Sequence, residues 1–464
     1  MRNYDVAIVG AGPSGLMAAY ELSKRFGDSI SIGLFDKGNN IEKRVCGYSS
    51  HTSPRCLNCN PCNMVEGIMG AGMKSDGKVH FHKGVMELYR CGLMDEPLVG
   101  DSLSYIEKCF RRWGLGGPVY PISTNQASEL SIQVKELNLG NDFELKVKQR
   151  TMHIGSDCLP IFVSNMINET LSLGNVDINI LHELVDYDFT DKGARLTFQT
   201  KSGKSDYSAK KTILGFGRRG APSVQGLIER LGISHSYRPV EMGGRVEVPA
   251  EVMDRVTNVI YNPCFRQKKG DLATFTFCTN PRGFLTSESL ISGVVGVNGE
   301  GLANRKSDFT NFAILTEIPI PIGGHPNDVL LNLLQSRFKG GVPSYQTTKD
   351  FVNGTDYDRE FKNGGTLENK TYRNLAEAFP SEIVSNLKDF LLNLDTFCPG
   401  VISEDSFFVA PEAKIRGIRV DPKDLSLETD VPNLHLIGDS SGLSGNIVAA
   451  ALTGLTVARN ISIH

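Results

Sequence analysis

The sequence runs to 464 residues, 40% of them hydrophobic and 22% charged, with a formal net charge of −3, a globular composition large enough for two or three lobes and without the basic excess that nucleic acid or an anionic membrane asks for. The first predicted strand begins at Tyr4, leaving no room for a secretory segment, and the most apolar helix, from Ile447 to Ala458, is too short to span a bilayer. A cytoplasmic protein is therefore expected, its ten cysteines read as thiols, metal ligands or redox groups rather than a disulfide framework.

The chain opens on a strand (Asp5-Val6-Ala7-Ile8-Val9), a G-x-G-x-x-G turn from Gly10 to Gly15, a helix from Leu16 to about Phe26, and a second strand from Ile30 to Phe35 that ends in Asp36. In this context each glycine has its own task. Gly10 makes the turn, Gly12 lets the backbone approach a pyrophosphate, and Gly15 lets helix and strand pack closely. The helix start offers unpaired N–H groups and a positive dipole end to the phosphates, and Asp36 accepts from ribose hydroxyls. Pro13, Ser14, Lys37 and Arg44 are assigned to the same dinucleotide site.

Residues 39–66 depart from a plain dinucleotide domain. Cys46, Cys56, Cys59 and Cys62 suit a tetrahedral zinc ion or an iron–sulfur cluster, a redox thiol pair, or simply inert thiols. In the glycine-rich stretch that follows, Gly70, Ala71, Gly72, Asp76 and Gly77 suit a loop held against a flat or anionic ligand. Residues 85–115 read as helical and hold the only tryptophan, Trp113. His153 precedes a helix predicted over residues 159–173 and can act as a proton donor or bond a backbone carbonyl. Short strands between residues 178 and 214 form a β-meander. It ends in a second G-x-G-x-x-G, Gly215 to Gly220, without the βαβ unit and acid of a second nucleotide domain. The reading is a strand that returns to the first domain and sets Gly217 against the cofactor.

From residue 240 to 400, β-rich and helical runs alternate as in a substrate lobe. Cys278 lies in one β-run and is a candidate acid or nucleophile, or plain packing. Arg245 and Glu247 share a strand face and can form an ion pair or grip a substrate carboxylate. The chain closes on a strand at Leu434 to Ile437, a turn holding Gly438, Asp439, Gly442, Gly445 and Asn446, and a small-residue helix from Ile447. A Gly-Asp pair before a late helix selects FAD: the aspartate bonds ribitol and pyrophosphate, and the helix dipole points at the flavin pyrimidine ring. Gly10, Gly12, Pro13, Ser14, Gly15, Asp36, Lys37, Arg44, Gly70, Ala71, Gly72, Asp76, Gly77, Gly217, Gly438, Asp439, Gly442, Gly445, Asn446 and Ile447 are assigned to FAD.

The motifs Gly70-Ala71-Gly72, Ser75-Asp76-Gly77-Lys78, His153-Ile154-Gly155-Ser156-Asp157, Gly244-Arg245-Val246-Glu247, Thr276-Phe277-Cys278, Asn298-Gly299 and Gly438-Asp439 with Gly442 extend over nearly all of the chain. On them it resembles the FAD-dependent dehydrogenases of the glutathione-reductase-like flavoprotein superfamily, distant kin of geranylgeranyl reductases. The resemblance implies an α/β fold: a discontinuous Rossmann-like FAD-binding domain with an inserted β-meander and a mixed α+β substrate domain. The expected division is 1–84 (FAD-binding, with the cysteine-rich insert), 85–148 (helical insert on the substrate side), 149–236 (FAD-binding, with the meander), 237–404 (substrate domain) and 405–464 (FAD-binding).

The expected activity is hydride transfer between flavin and a small organic molecule, at a C–C or C–N bond, with Cys278 and His153 as candidate catalytic groups and NAD(P)H as a candidate external reductant. The alternatives are a non-catalytic, redox-sensing FAD module that uses the four cysteines, and an RNA-modifying flavoprotein, which the acidic balance disfavours. Ser440 and Ser441 stand where aromatic hydroxylases carry His and Pro, and a single tryptophan excludes the motif of flavin halogenases.

Overall fold

The structure, a computed structural model, describes residues 2–47, 53, 56–291, 293–318, 325–355, 364–414 and 418–463. Its first sheet has seven strands. Arg2–Val9 lies parallel between Ile32–Asp36 and the long strand Gly203–Leu214, and Val176–Ile180 extends the parallel set beyond Ile32–Asp36. The long strand changes partners along its length: its first part pairs antiparallel with Gly193–Thr200, and its last three residues pair parallel with Leu434–Leu436. Meander and nucleotide domain thus share one sheet. Val6, Ile8, Ile32 and Leu34 are fully buried, as expected of parallel strands covered on both faces.

Helix Pro13–Phe26 and the C-terminal helix Ile447–Asn460 cover one face of this sheet. They cross so closely that a Cβ on Gly454 would stand 2.0 Å from the Ser14 carbonyl oxygen. The first and last segments of the chain are thereby packed into one core. The segment expected to be helical over 85–115 forms two helices, Glu87–Arg90 and Glu96–Arg112. The longer one starts there because Asp95 caps it, accepting from Leu98 N at 2.9 Å, with a proline in its first turn.

The second sheet has eight strands, in the order Thr371–Tyr372, Ser344–Thr347, Phe407–Lys414, Val240–Pro249, Phe309–Ile318, Leu272–Asn280, Cys264–Lys269 and Glu144–Lys146. Helix Ser381–Phe397 buries Leu387, Phe390, Leu391 and Leu394 against one face; Leu285 and Val297 of the hairpin Phe284–Ile291 and Val294–Glu300 pack on Tyr345, Phe407 and Val409 of the sheet. Two expected boundaries shift. Phe407–Lys414 is an inner strand of this sheet, so the substrate domain does not close at 404, and Glu144–Lys146 adds part of the 85–148 insert to its edge. The short ladder Lys78–His80 with Thr151–His153 lies beside the second sheet, tied to it by Lys78.

Candidate functional site

A cleft of about 390 Å³ runs from the glycine turn to the second sheet. Its outer end is built by backbone. Gly10 has φ +107°, and a Cβ there would stand 2.1 Å from the Gly215 carbonyl oxygen; one on Gly15 would meet the Gly10 oxygen at 1.9 Å. Neither position admits a side chain. Gly12 is different, because a Cβ there meets no atom within 4 Å: it faces open cleft, where a pyrophosphate needs the room. Gly12 caps the helix without a side-chain hydrogen bond, which leaves first-turn N–H groups free for an anion. Asp36 is buried beside the turn and accepts from Ala11 N and Gly38 N, both at 2.8 Å. Burial raises its pKa, and those two backbone bonds oppose the rise. Each carboxylate oxygen keeps a lone pair for a ribose hydroxyl. These features fit an adenine dinucleotide.

Most of the sequence-assigned cofactor residues gather on this cleft. Pro13, Ser14, Lys37, Gly70, Ala71, Gly72, Asp76, Gly217, Asp439, Gly445, Asn446 and Ile447 line it with Gly10, Gly12 and Asp36. Lys37 is held by Glu66 at 3.0 Å and Glu183 at 3.1 Å. Asn446 caps the C-terminal helix, accepting from Ala449 N at 2.8 Å, so that helix also opens on the cleft. Gly438, at φ +71°, lies against Ser14, whose Oγ would be 2.6 Å from an added Cβ.

Four assignments are corrected. Arg44 is buried and does not line the cleft; each of its three guanidinium nitrogens donates to a backbone carbonyl, of Asn63, Ile68 and Met64, so it ties down a loop. Gly77 and Gly442, both at positive φ, are packing glycines: an added Cβ would lie 2.6 Å from Gly155 N and 2.1 Å from the Ile418 oxygen. His153 lies behind the site, its Nε2 2.8 Å from the Asp76 carbonyl oxygen and its ring 4.9 Å from that of Tyr261. Burial pushes its pKa down to about 4. A neutral imidazole donating to a carbonyl has no proton to give the cleft.

The inner end is built by buried side chains. Cys278 faces the cleft from a bulged stretch of its strand, at φ 55°, a left-handed conformation uncommon for cysteine. Its carbonyl is held there by Arg245 Nη1 at 3.0 Å and Asn280 Nδ2 at 3.3 Å, the kind of over-determination that keeps a strained residue in place. Its thiol donates to Asp76, which also accepts from Lys78 Nζ at 2.8 Å. Against burial, which alone would raise it, Lys78 and the thiol hold the Asp76 carboxyl well below the usual range. Burial and Asp76 push the Cys278 pKa up, while Lys78 and Arg245 pull it down. Cys278 is therefore a neutral thiol at pH 7, with two cations nearby to receive a thiolate.

Arg245 does not pair with Glu247. It forms a two-bond ion pair with buried Glu412, at 2.9 and 3.2 Å, and donates to Asn311 at 2.9 Å. Glu247 instead accepts from Thr366. The strand neighbours point alike, as their spacing requires, but their partners come from remote segments. Lys78, which in the sequence reads as a phosphate or ribitol contact or a solvated loop residue, is instead paired with Asp76 and the Thr279 carbonyl, and nothing in the sequence marks Glu412, Lys414 or Asn280. Of these only Lys78, two residues after Asp76, carried a local signal.

Cys46, Cys56, Cys59 and Cys62 are not gathered for a metal: among the described residues no group of three or more His, Cys, Asp or Glu side chains could hold a metal ion. Cys62 is buried and Cys59 exposed.

Residues 239–415 match the family described as "FAD-dependent protein, C-terminal domain-like", and residues 8–51 match the "NAD(P)-binding Rossmann-like domain". An uncharacterized protein of Clostridium beijerinckii is 23% identical over 98% of this chain and 80% of its own length. Among solved structures, aklavinone-11 hydroxylase with FAD and aklavinone is 11% identical at TM-score 0.43; the likeness covers 99% of this chain but only 62% of that one, less than two thirds. Glycine oxidase from Geobacillus kaustophilus is 15% identical at TM-score 0.40, over 99% of this chain and 94% of that one. Likenesses this slight carry no reaction across. Among the described residues no helix is long and apolar enough to cross a membrane. The two matches agree with the cleft: the glycine cradle of Gly10, Gly12 and Gly15 lies within the segment similar to a Rossmann-like dinucleotide domain, and Cys278 and Lys414 lie within the segment similar to the C-terminal domain of FAD-dependent proteins.

Proposed function

We propose that the protein transfers a hydride between FAD and an organic substrate bound at the inner end of the cleft, reducing or forming a C–C or C–N double bond, as a dehydrogenase or reductase. The observation that supports it is the strained, cleft-facing Cys278, a protonated thiol hydrogen-bonded to Asp76 beside Lys78. The bound flavin supplies or accepts the hydride. In the reducing direction the Cys278 thiol gives its proton to the second atom of the double bond, and the thiolate left behind is stabilised by Lys78 and Arg245. Oxidation runs the same transfer backward, with the thiolate accepting the proton. The turn shaped by Gly10 and Gly15, with Gly12 and Asp36 open on the cleft, would hold the dinucleotide, and the C-terminal helix start at Asn446 and Ile447 would offer its N–H groups to the same cofactor.

The test is anaerobic. FAD-loaded protein is reduced with NADH, NADPH or light and mixed with 2-cyclohexenone, cinnamate and 1-pyrroline-2-carboxylate while the flavin band is followed. At least one acceptor is expected to restore the band, and Cys278→Ser to slow that step at least 10-fold without changing the flavin spectrum. Reoxidation by oxygen alone, or equal rates in C278S, contradicts the proposal.

A further inference from the structure

The inner end of the cleft holds more positive charge than its carboxylates answer. Phe277 faces the cleft with Lys414 Nζ 4.7 Å and Lys148 Nζ 6.0 Å from its ring centroid. Glu412 lies 3.1 Å from Lys414, yet the same carboxylate already carries the two-bond pair with Arg245. Asp76 is taken by Lys78 at 2.8 Å. Lys148, only half-buried, has no carboxylate within ion-pair distance among the described residues. On other walls of the cleft each cation has a carboxylate: Arg218 is answered by Asp439 at 3.5 Å and Glu288 at 3.9 Å, and Arg90 and Arg238 share Glu87. His80 registers the inner surplus: burial first, then Lys148 and Lys78, push its pKa down to about 3.

We propose that this corner is the subsite for an anionic group of the substrate, a carboxylate or phosphate held by Lys148 and Lys414 beside Phe277 and next to Cys278. The inference rests on the hydride-transfer reading above and adds the substrate class. The ring face draws both ammonium groups to one corner, and out of bulk water each gives an anion a charge-assisted hydrogen bond stronger than a neutral one. An anion anchored there fixes which bond of the substrate meets the thiol, a positioning that contributes to rate as well as to binding.

The holoprotein, loaded with FAD so that the dinucleotide site is filled, is titrated with benzoate and separately with inorganic phosphate, at ionic strength held constant with sodium chloride. Flavin absorption and melting temperature are the readouts. A saturable response to at least one anion is expected, and the tighter of the two names the class. Lys148→Gln should weaken it at least 10-fold and Lys148→Arg should restore most of it, while Lys192→Gln, on an exposed turn of the meander, should leave it unchanged. Protein that stays colourless after FAD loading overturns this inference together with the flavin reading. Yellow protein that ignores both anions, or responds equally in K148Q, overturns the anion subsite alone.

Discussion

The two ends of the cleft are built by different means. At the outer end the first sheet makes its site from backbone: Gly10 and Gly15 have no space for a methyl group, and Gly12 leaves the cleft open. At the inner end the second sheet makes its site from buried charge, with Arg245, Lys414 and Glu412 in one group and Lys78, Asp76 and Cys278 in the other. The backbone end fixes a ligand by shape and N–H groups, in the same way whatever is attached to the dinucleotide. The charged end sets protonation states and is the part that can distinguish substrates.

The inner wall should break through loss of a charge. Glu412→Met leaves Arg245 and Lys414 buried without their shared carboxylate, and unfolding in urea should show a loss of about 3–5 kcal/mol. Adding Arg245→Met should recover part of that loss, since one of the two stranded charges goes with it; a double variant as unstable as the single one would count against the buried pair.

A methyl group should be enough to break the outer wall. Gly10→Ala sets a Cβ against the Gly215 carbonyl at φ +107°, which should lower stability by roughly 2–4 kcal/mol and remove bound flavin. Wild-type flavin content in G10A would contradict the close approach.

A pH-dependent effect is smaller at each residue that carries it. Burial holds His80 near pKa 3 and His153 and His435 near 4. Each folded value lies below the unfolded one, so the unfolded chain binds more protons in acid. Stability should be complete above about pH 6.5 and decline toward the folded values, by roughly 2 kcal/mol per histidine at pH 5. Melting curves from pH 7 to 5 check this, and His435→Gln should flatten the slope.

A still smaller stability change is expected at the most chemically loaded residue. Cys278→Gly relieves a positive φ and loses one hydrogen bond, so its stability should stay within about 1 kcal/mol of wild type while substrate turnover falls. A large destabilisation would instead give Cys278 a packing role.

What the sequence discloses follows the same division. The glycine cradle is legible because its parts sit within a few residues of one another and only glycine meets their geometry. The pocket wall is not, because Arg245 meets Glu412 at a separation of 167 residues and Lys78 meets Thr279 at 201, and no local pattern announces such pairs. Arg44, a cation near a glycine-rich loop, reads as a phosphate ligand until folding shows its donors turned onto backbone carbonyls. Phe407–Lys414 falls outside the substrate domain expected over 237–404, and its Pro411 would argue against an inner strand; a register shift opposite, between Gly243 and Arg245, accommodates it. The four cysteines mislead for the reverse reason: their spacing suggests a ligand set, but exposure divides them.

Gly12 separates the claim that this fold holds FAD from any effect on the fold itself. Its conformation suits any residue and nothing lies within 4 Å of an added Cβ. Gly12→Val should therefore leave the melting temperature of the flavin-free protein unchanged while FAD binding, measured by fluorescence quenching, falls at least 100-fold. A G12V protein that binds FAD as tightly as wild type would contradict the placement of the pyrophosphate, and with it the account of the cleft.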